Sequence, residues 1–347
     1  MSASIDQPTG LSVLPVTGIG DVRPGDDLAA LIIAAAPWLA DGDVLVVTSK
    51  IVSKAEGSLA ALPAEPGPAR EAAKAAILTA ETARVVATRG PTRIVQTHHG
   101  FVMAAGGIDE SNVDPSHVVL LPKDPDASAR ALRAELRERF HLDVVVVVSD
   151  TMGRPWRIGL TDVALGVAGV DPLRDYRGER DAYGNELQVT QMSPVDEFAG
   201  AAELVKGKYD QVPVAVIRGL GIVGTPDGPG AAVLVRPAAE DMFSLGTAEA
   251  RADGLRQAAE LADTDGPPVV EFVEVPGDGG DVRALVPVVS VGADAVTLAR
   301  AGTAIHARRC ALAARGVRTA WHGDQPPPEG FTTAGVALGV ITVDAGS

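Results

Sequence analysis

The sequence predicts a mixed α/β protein, and three observations carry that prediction. Residues 144–148 are five consecutive valines, and a short run of β-branched side chains suits a strand covered on both faces. Residues 44–48 (VLVVT) repeat that pattern about a hundred residues earlier. Between such runs lie Ala-rich or amphipathic stretches of helical period, at residues 69–86 and 128–140.

The elements follow in order. Residues 11–16 form a short strand, and the loop Thr17-Gly18-Ile19-Gly20-Asp21 follows it. Asp26 or Asp27 caps a helix whose apolar face carries Leu28, Leu31, Ile32 and Ala35. The strand at 44–48 delivers Ser49 and Lys50, then Lys54. After the helix at 69–86 come strands at 93–96 and 101–105, joined by a turn at His98-His99-Gly100. A polar cluster, Asp109 to Asn112, follows, then a strand at 118–121. The helix at 128–140 feeds the valine strand, which stops at Ser149-Asp150-Thr151. Residues 161–170 are small and read as a helix or a buried segment, and 186–191 alternate like a strand. A helix at 194–205, a strand at 212–218 and a Gly/Pro-rich loop at 219–230 complete a first domain, residues 1–245. Residues 246–347 form a smaller α/β unit, with helices at 247–261 and 293–315 and strands at 269–275, 282–291, 317–321 and 335–343.

Composition excludes several classes. The 347 residues carry a formal charge of −15 and only 3% aromatics. Such a chain repels nucleic acid and anionic membranes, and offers few platforms for stacking bases. An anionic substrate therefore needs local cations. The lone cysteine, Cys310, excludes an intrachain disulfide and suits a reducing, cytoplasmic setting. The N-terminus lacks the basic and apolar regions of a signal peptide, and the apolar stretch at 28–40 is too short to span a bilayer.

The chemistry concentrates at strand ends. Asp109 and Asp150 both sit where apolar segments give way to polar loops. Two hard oxygen donors there can hold Mg²⁺ or Mn²⁺ against phosphate oxygens, and they equally fit turns capped by aspartate. Lys54 suits a phosphate, and Gly18 and Gly20 free backbone N–H groups to approach an anion. Arg154 and Arg157 follow the valine strand closely and are candidates, with Asp150, for catalysis, as clamps on a carboxylate or phosphate. Gly219 to Gly224 is a literal GxGxxG, but Pro226 and Pro229 exclude the helix that dinucleotide binding requires. Lys206 and Lys208 lack the upstream glycines of a Walker A loop, and His98 and His99 lack a third ligand.

Six segments occur in a telling order: LPVTGIGDVRPGDDL, DGDVLVVTSKIVSKAEG, AAGGIDESNV, SDTMGRPWRIGLTD, DAYGNEL and DEFAGAAELVKGK. Across about residues 11–240 this set resembles the coenzyme F-420-0:L-glutamate ligase family, the GTP-dependent γ-glutamyl ligases of deazaflavin biosynthesis. The resemblance implies an unusual mixed-sheet α/β fold and a homodimer. It implies GTP, Mn²⁺ or Mg²⁺, and K⁺, with F-420-0 and L-glutamate as the other substrates. The family's nucleotide positions fall on Ile19, Gly20, Asp21, Val22, Ser49, Lys54 and Asn112, and its metal positions on Asp109, Asp150 and Thr151. An acidic ligand present in some archaeal relatives is here Lys208. A related ligase for another carboxylate, or a nucleotide-binding module without catalysis, are the alternatives. Residues 293–343, with GVRTAWHG and GVALGVITVD, resemble only the later half of a nitroreductase-like domain. The Arg-rich opening that would engage FMN phosphate is absent, so the expectation is a tail that does not bind FMN.

Overall fold

In the computed structural model, residues 10–207, 209–261, 268–276, 282–328 and 331–344 are described. The chain divides into two compact units, residues 1–242 and 243–347.

The first unit contains β1 (Ser12–Val16), α1 (Leu28–Ala35), β2 (Val44–Thr48), α2 (Ser49–Glu56), β3 (Leu59–Ala61) and α3 (Pro68–Ala80). It continues through β4 (Thr82–Arg89), β5 (Thr92–Thr97), β6 (Val102–Ala104), β7 (His117–Val119), α4 (Pro125–Phe140) and β8 (Val145–Gly153). Then come β9 (Leu160–Ala168), β10 (Arg174–Asp175), β11 (Gln191–Met192), α5 (Pro194–Lys206) and β12 (Val214–Arg218).

The central sheet is mixed, in the order β1-β12-β2-β8-β9. Only β2 and β8 pair in parallel, with Thr48 opposite Ser149. Strand alternation sends the valine run to both faces. Val144, Val146 and Val148 join α1, α2 and α4 in one core, with Leu45, Val47, Val214 and Val216. Val145 and Val147 pack under α5 with Val44, Val46, Ala215 and Ile217. This is the two-sided burial that an unbroken apolar run requires. Two further small sheets, β4-β5-β6 and β3-β7, carry the chain from α2 to α4.

Three segments depart from expectation. The Ala-rich stretch does not stay helical to residue 86. Helix α3 ends at Ala80, and residues 82–89 pair antiparallel with β5 instead. Thr82 and Val85 gain strand partners there in Thr97 and Val95, which overrides a weak helical preference. The small residues at 161–170 form β9, antiparallel to β8. Their size serves packing: Gly166 lies directly beneath the N-terminus of α4. A register shift between Val148 and Ser149, a β-bulge, falls where β8 leaves the core. Residues 186–191 contribute only the short β11.

The Asp27 carboxylate accepts from the Ala30 amide at 2.9 Å and caps α1. The GxGxxG segment opens no helix. It lies beyond β12 at the end of the sheet where Ile217 faces Val44, and Asp143 and Arg133 pin it through Gly224 N and Thr225 O. That is the end opposite Ser49 and Asp150, so the loop is structural. His98 and His99 hydrogen-bond main-chain carbonyls.

The second unit comprises α6 (Thr247–Leu261), β13 (Glu271–Pro276), β14 (Val282–Val289), α7 (Ala295–Ala314), β15 (Arg318–His322), β16 (Val336–Ala337) and β17 (Val340–Asp344). Its sheet runs β13-β14-β17-β15, with β16 pairing β14. The strand expected at 335–343 is broken at Gly339 (φ +148°), where a Cβ would lie 2.6 Å from the His322 carbonyl oxygen. Asp294 caps α7. Among the described residues no helix is long and apolar enough to cross a membrane.

Candidate active site

Because β2 and β8 run parallel and in step, both leave the sheet at the same end. That end opens into a cavity of about 840 Å³. Strand β2 passes directly into α2, with Thr48 as an extended N-cap that makes no side-chain cap bond. The first turn of α2, with Ser49, Lys50 and Ile51, lines the cavity, and a helix N-terminus favours an anion. The β1–α1 loop supplies Ile19, Gly20, Asp21 and Val22. Ile19 and Val22 are buried in the core below and hold the loop against it. The β6–β7 segment brings Asp109, Ser111 and Asn112. All ten expected nucleotide and metal positions therefore line one cavity, although they span more than 130 residues of chain.

Two lysines organise one wall. Lys54 Nζ pairs with Asp21 Oδ1 at 2.7 Å and donates to the Asn112 carbonyl at 2.6 Å. The Lys54 hydrogen bond is the main cause that holds the Asp21 carboxyl below its usual value. Lys50 Nζ lies 2.6 Å from Asp109 Oδ2 and 2.7 Å from Ser111 Oγ. Burial pushes the Asp109 carboxyl up, but hydrogen bonds from Lys50 and Ser111 outweigh it and leave it lowered. Asn112 is held at φ +55°, which presents its carbonyl to Lys54.

Asp150 contrasts with Asp109. Its carboxyl is pushed up to about 6, first by burial and then by the charges of Asp162 and Asp109. The Thr151 amide, donating at 2.7 Å, and the Ser49 side chain offset this only in part. A deep carboxylate among carboxylates is a strong locus for positive charge. With Asp109 and the Thr151 hydroxyl it gives a hard, all-oxygen donor set that fits Mg²⁺ or Mn²⁺, whose remaining positions water and phosphate can fill. Among the described residues no group of three or more His, Cys, Asp or Glu could hold a metal ion by itself.

Arg154 and Arg157 stay exposed. They lie on the β8–β9 loop, whose ends Gly153 and Leu160 line the cavity while the arginines do not. Lys208 falls outside the described residues. Conversely, Asp162 and Glu203 line the cavity, and Lys206 lies behind it in a buried ion pair with Asp162 at 2.7 Å. Nothing in the spacing signals that pair. The lysine ends an amphipathic helix, where it resembles an ordinary C-terminal charge, and its partner belongs to a strand that reads equally as helix.

The model of the family described as F420-0:Gamma-glutamyl ligase matches residues 18–219. The chain belongs to the F420-0:gamma-glutamyl ligase family. The cavity-lining residues, from Ile19 to Pro213, all fall inside the matched span of this ligase. A relative from Methanothermobacter thermautotrophicus, named coenzyme F420:L-glutamate ligase, is 40% identical over 250 residues, which cover 67% of this ligase and 99% of the relative. Relatives of the same name from Methanopyrus kandleri and Halobacterium salinarum are 43% and 45% identical, over 60% and 58% of this ligase and 87% and 85% of their own lengths.

Proposed function

We propose that this ligase joins the α-amine of L-glutamate to a carboxylate of F-420-0, driven by GTP and a divalent cation. The observation that carries the reading is one cavity lined both by Lys50, Lys54 and the first turn of α2 and by the half-buried Asp150 together with Asp109. The first suits the phosphates of a nucleotide, and the second suits a cation bridging them. The names of the relatives supply the substrates.

A carboxylate is a poor electrophile. Transfer of the γ-phosphoryl group of GTP to an oxygen of the acceptor carboxylate makes an acyl phosphate and releases GDP. The glutamate nitrogen then bonds the carbonyl carbon, the carbon–oxygen bond to phosphate breaks, and the proton shed by the amine passes to solvent. Lys54 and the α2 N–H groups bind and orient phosphate oxygens, and the Asn112 carbonyl fixes Lys54. Asp109, Asp150 and Thr151 would hold Mg²⁺ or Mn²⁺, which supplies charge neutralisation at the transferring phosphoryl group. Arg154 and Arg157, exposed on the β8–β9 loop whose ends Gly153 and Leu160 line the cavity, are proposed as clamps on a carboxylate or phosphate of the acidic substrates.

GDP release requiring F-420-0, L-glutamate and Mn²⁺ together tests this, with mass spectrometry of the product. No release with any acid acceptor would instead mark a nucleotide-binding module. Lys54→Met should raise the KM for GTP on the order of tenfold to a hundredfold, the weight of a lost charge-assisted hydrogen bond, with little loss of stability because Asp21 is solvent-exposed. The second unit is proposed to serve packing, with no flavin bound. A yellow purified protein with stoichiometric flavin would overturn that.

A further inference from the structure

Two lysines line the cavity from α2, one helical turn apart, and they are held differently. Lys54 is buried, with 9% of its side chain exposed, and it joins acceptors from two loops, Asp21 Oδ1 and the Asn112 carbonyl. Lys50 is more open, at 25%. Both its acceptors sit on one turn, Asp109 Oδ2 at 2.6 Å and Ser111 Oγ at 2.7 Å. Lys54 therefore ties two loops together. Lys50 holds a single turn and can release it without pulling a second loop out of place.

Asp109 is the fixed member of the pair. Its main chain exchanges two hydrogen bonds with Val119, at 3.0 and 2.8 Å, and its Oδ1 accepts from the Ser111 amide at 2.7 Å. Oδ2, the oxygen not committed to that amide, is covered by the Lys50 ammonium. A small divalent cation binds a carboxylate oxygen at about 2.1 Å, so with Lys50 in place two positive charges would stand nearly in contact. The flexible four-carbon stem of the lysine is what gives way. Charge balance then decides where the ammonium goes. Asp109 and Asp150, both ionised, balance a divalent cation, which leaves Lys50 as one positive charge in excess. Its stem is rooted in the first turn of α2, where a helix N-terminus already favours an anion. A phosphate oxygen satisfies both.

We propose that Lys50 changes partners: a divalent cation displaces it from Asp109, and the freed ammonium binds a phosphate of the nucleotide. Cation and nucleotide then each strengthen the binding of the other, since such coupling is reciprocal. This rests on the cation site and the nucleotide wall proposed above. In the cation-free protein Lys50 keeps the Asp109 carboxylate paired in the cation's place.

The test reads two affinities of the full chain. Mn²⁺ alone is titrated and followed by the electron paramagnetic resonance of free Mn²⁺. Lys50→Met removes the competitor, so Mn²⁺ affinity should rise roughly twofold to tenfold. A non-hydrolysable GTP analogue is then titrated by calorimetry in saturating Mn²⁺. There Lys50→Met should bind it roughly tenfold to a hundredfold more weakly, for the loss of a charge-assisted hydrogen bond. A lysine that merely held the Asp109 turn in shape would lower both affinities, so opposite signs are the signature. If Lys50→Met fails to fold, Lys50→Gln carries the same two readouts. An unchanged or lower Mn²⁺ affinity, or an unchanged nucleotide affinity, would overturn the inference. Asp109→Ala separates it from the reading beneath it. If that variant loses Mn²⁺ while Lys50→Met does not gain it, the cation site stands and the exchange of partners falls. If the wild type takes up no Mn²⁺, both fall.

Discussion

Asp150→Asn should lose cation-dependent GTP turnover by about a thousandfold, yet melt higher than the parent protein at neutral pH. The activity loss follows from removing a carboxylate that would hold the proposed cation, whose neutralisation of phosphoryl charge would be worth several kcal/mol. The stability gain follows from the same carboxyl, pushed up to about 6 from 3.8 mainly by burial, with Asp162 and Asp109 adding to it. A carboxyl raised on folding binds its proton more tightly in the folded state, so ionising it costs stability. That cost is absent below about pH 4, grows as pH rises, and is complete above about 6. Its size is on the order of 1–3 kcal/mol. Melting curves of both proteins in chelator, from pH 4 to 8, should therefore diverge upward through this window. Parallel curves would show that Asp150 is not strained by its neighbours. In the parent protein Mn²⁺ affinity should fall as pH drops through about 6, since protons and cation compete for one carboxylate.

Gly166→Ala should destabilise the first unit by about 3 kcal/mol or more. An added Cβ would sit 2.1 Å from the Pro125 carbonyl oxygen and 2.2 Å from its carbon. These are backbone atoms at the start of α4 and cannot swing aside, so strand and helix must separate. Separation also strains Asp126, whose carboxylate accepts from Val167 N at 2.9 Å, Ala231 N at 2.7 Å and Ala232 N at 3.1 Å. The denaturant midpoint measures the effect. An unchanged midpoint would mean that α4 does not approach β9 this closely.

The sequence made the central strands legible because five valines have few other uses, and their two-sided burial appears as expected. Helix α2 escaped notice because SKIVSKAE is only eight residues long and follows an apolar strand without a break, so it reads as a strand end running into a loop. Residues 82–86 continue an alanine-rich period, and only pairing with β5 shows them to be a strand. At the site, Asp109, Asp150 and Lys54 were visible as charged residues terminating or following apolar runs. Lys50 was visible, but its ion pair with Asp109 depends on a fold contact between α2 and the β6–β7 segment. The Asp162–Lys206 pair joins a strand to a helix end 44 residues away, and local pattern does not encode such a meeting. Arg154 and Arg157 follow the valine strand closely in sequence, and the β8–β9 loop leaves both exposed, with Gly153 and Leu160 rather than the arginines lining the cavity.

With the cation site proposed above, the parallel alignment of Thr48 with Ser149 would also make cation uptake a reporter of strand register. Side chains alternate between faces, so a slip of one residue along β2 would turn Asp150 into the opposite core and carry Thr151 to the wrong side. Neither half of the site exists locally, since about a hundred residues separate its two strand tips. During refolding, Mn²⁺ capture should therefore appear only after this long-range pairing is correct, later than helical signal, and a chain that collapses out of register would be compact yet blind to the cation.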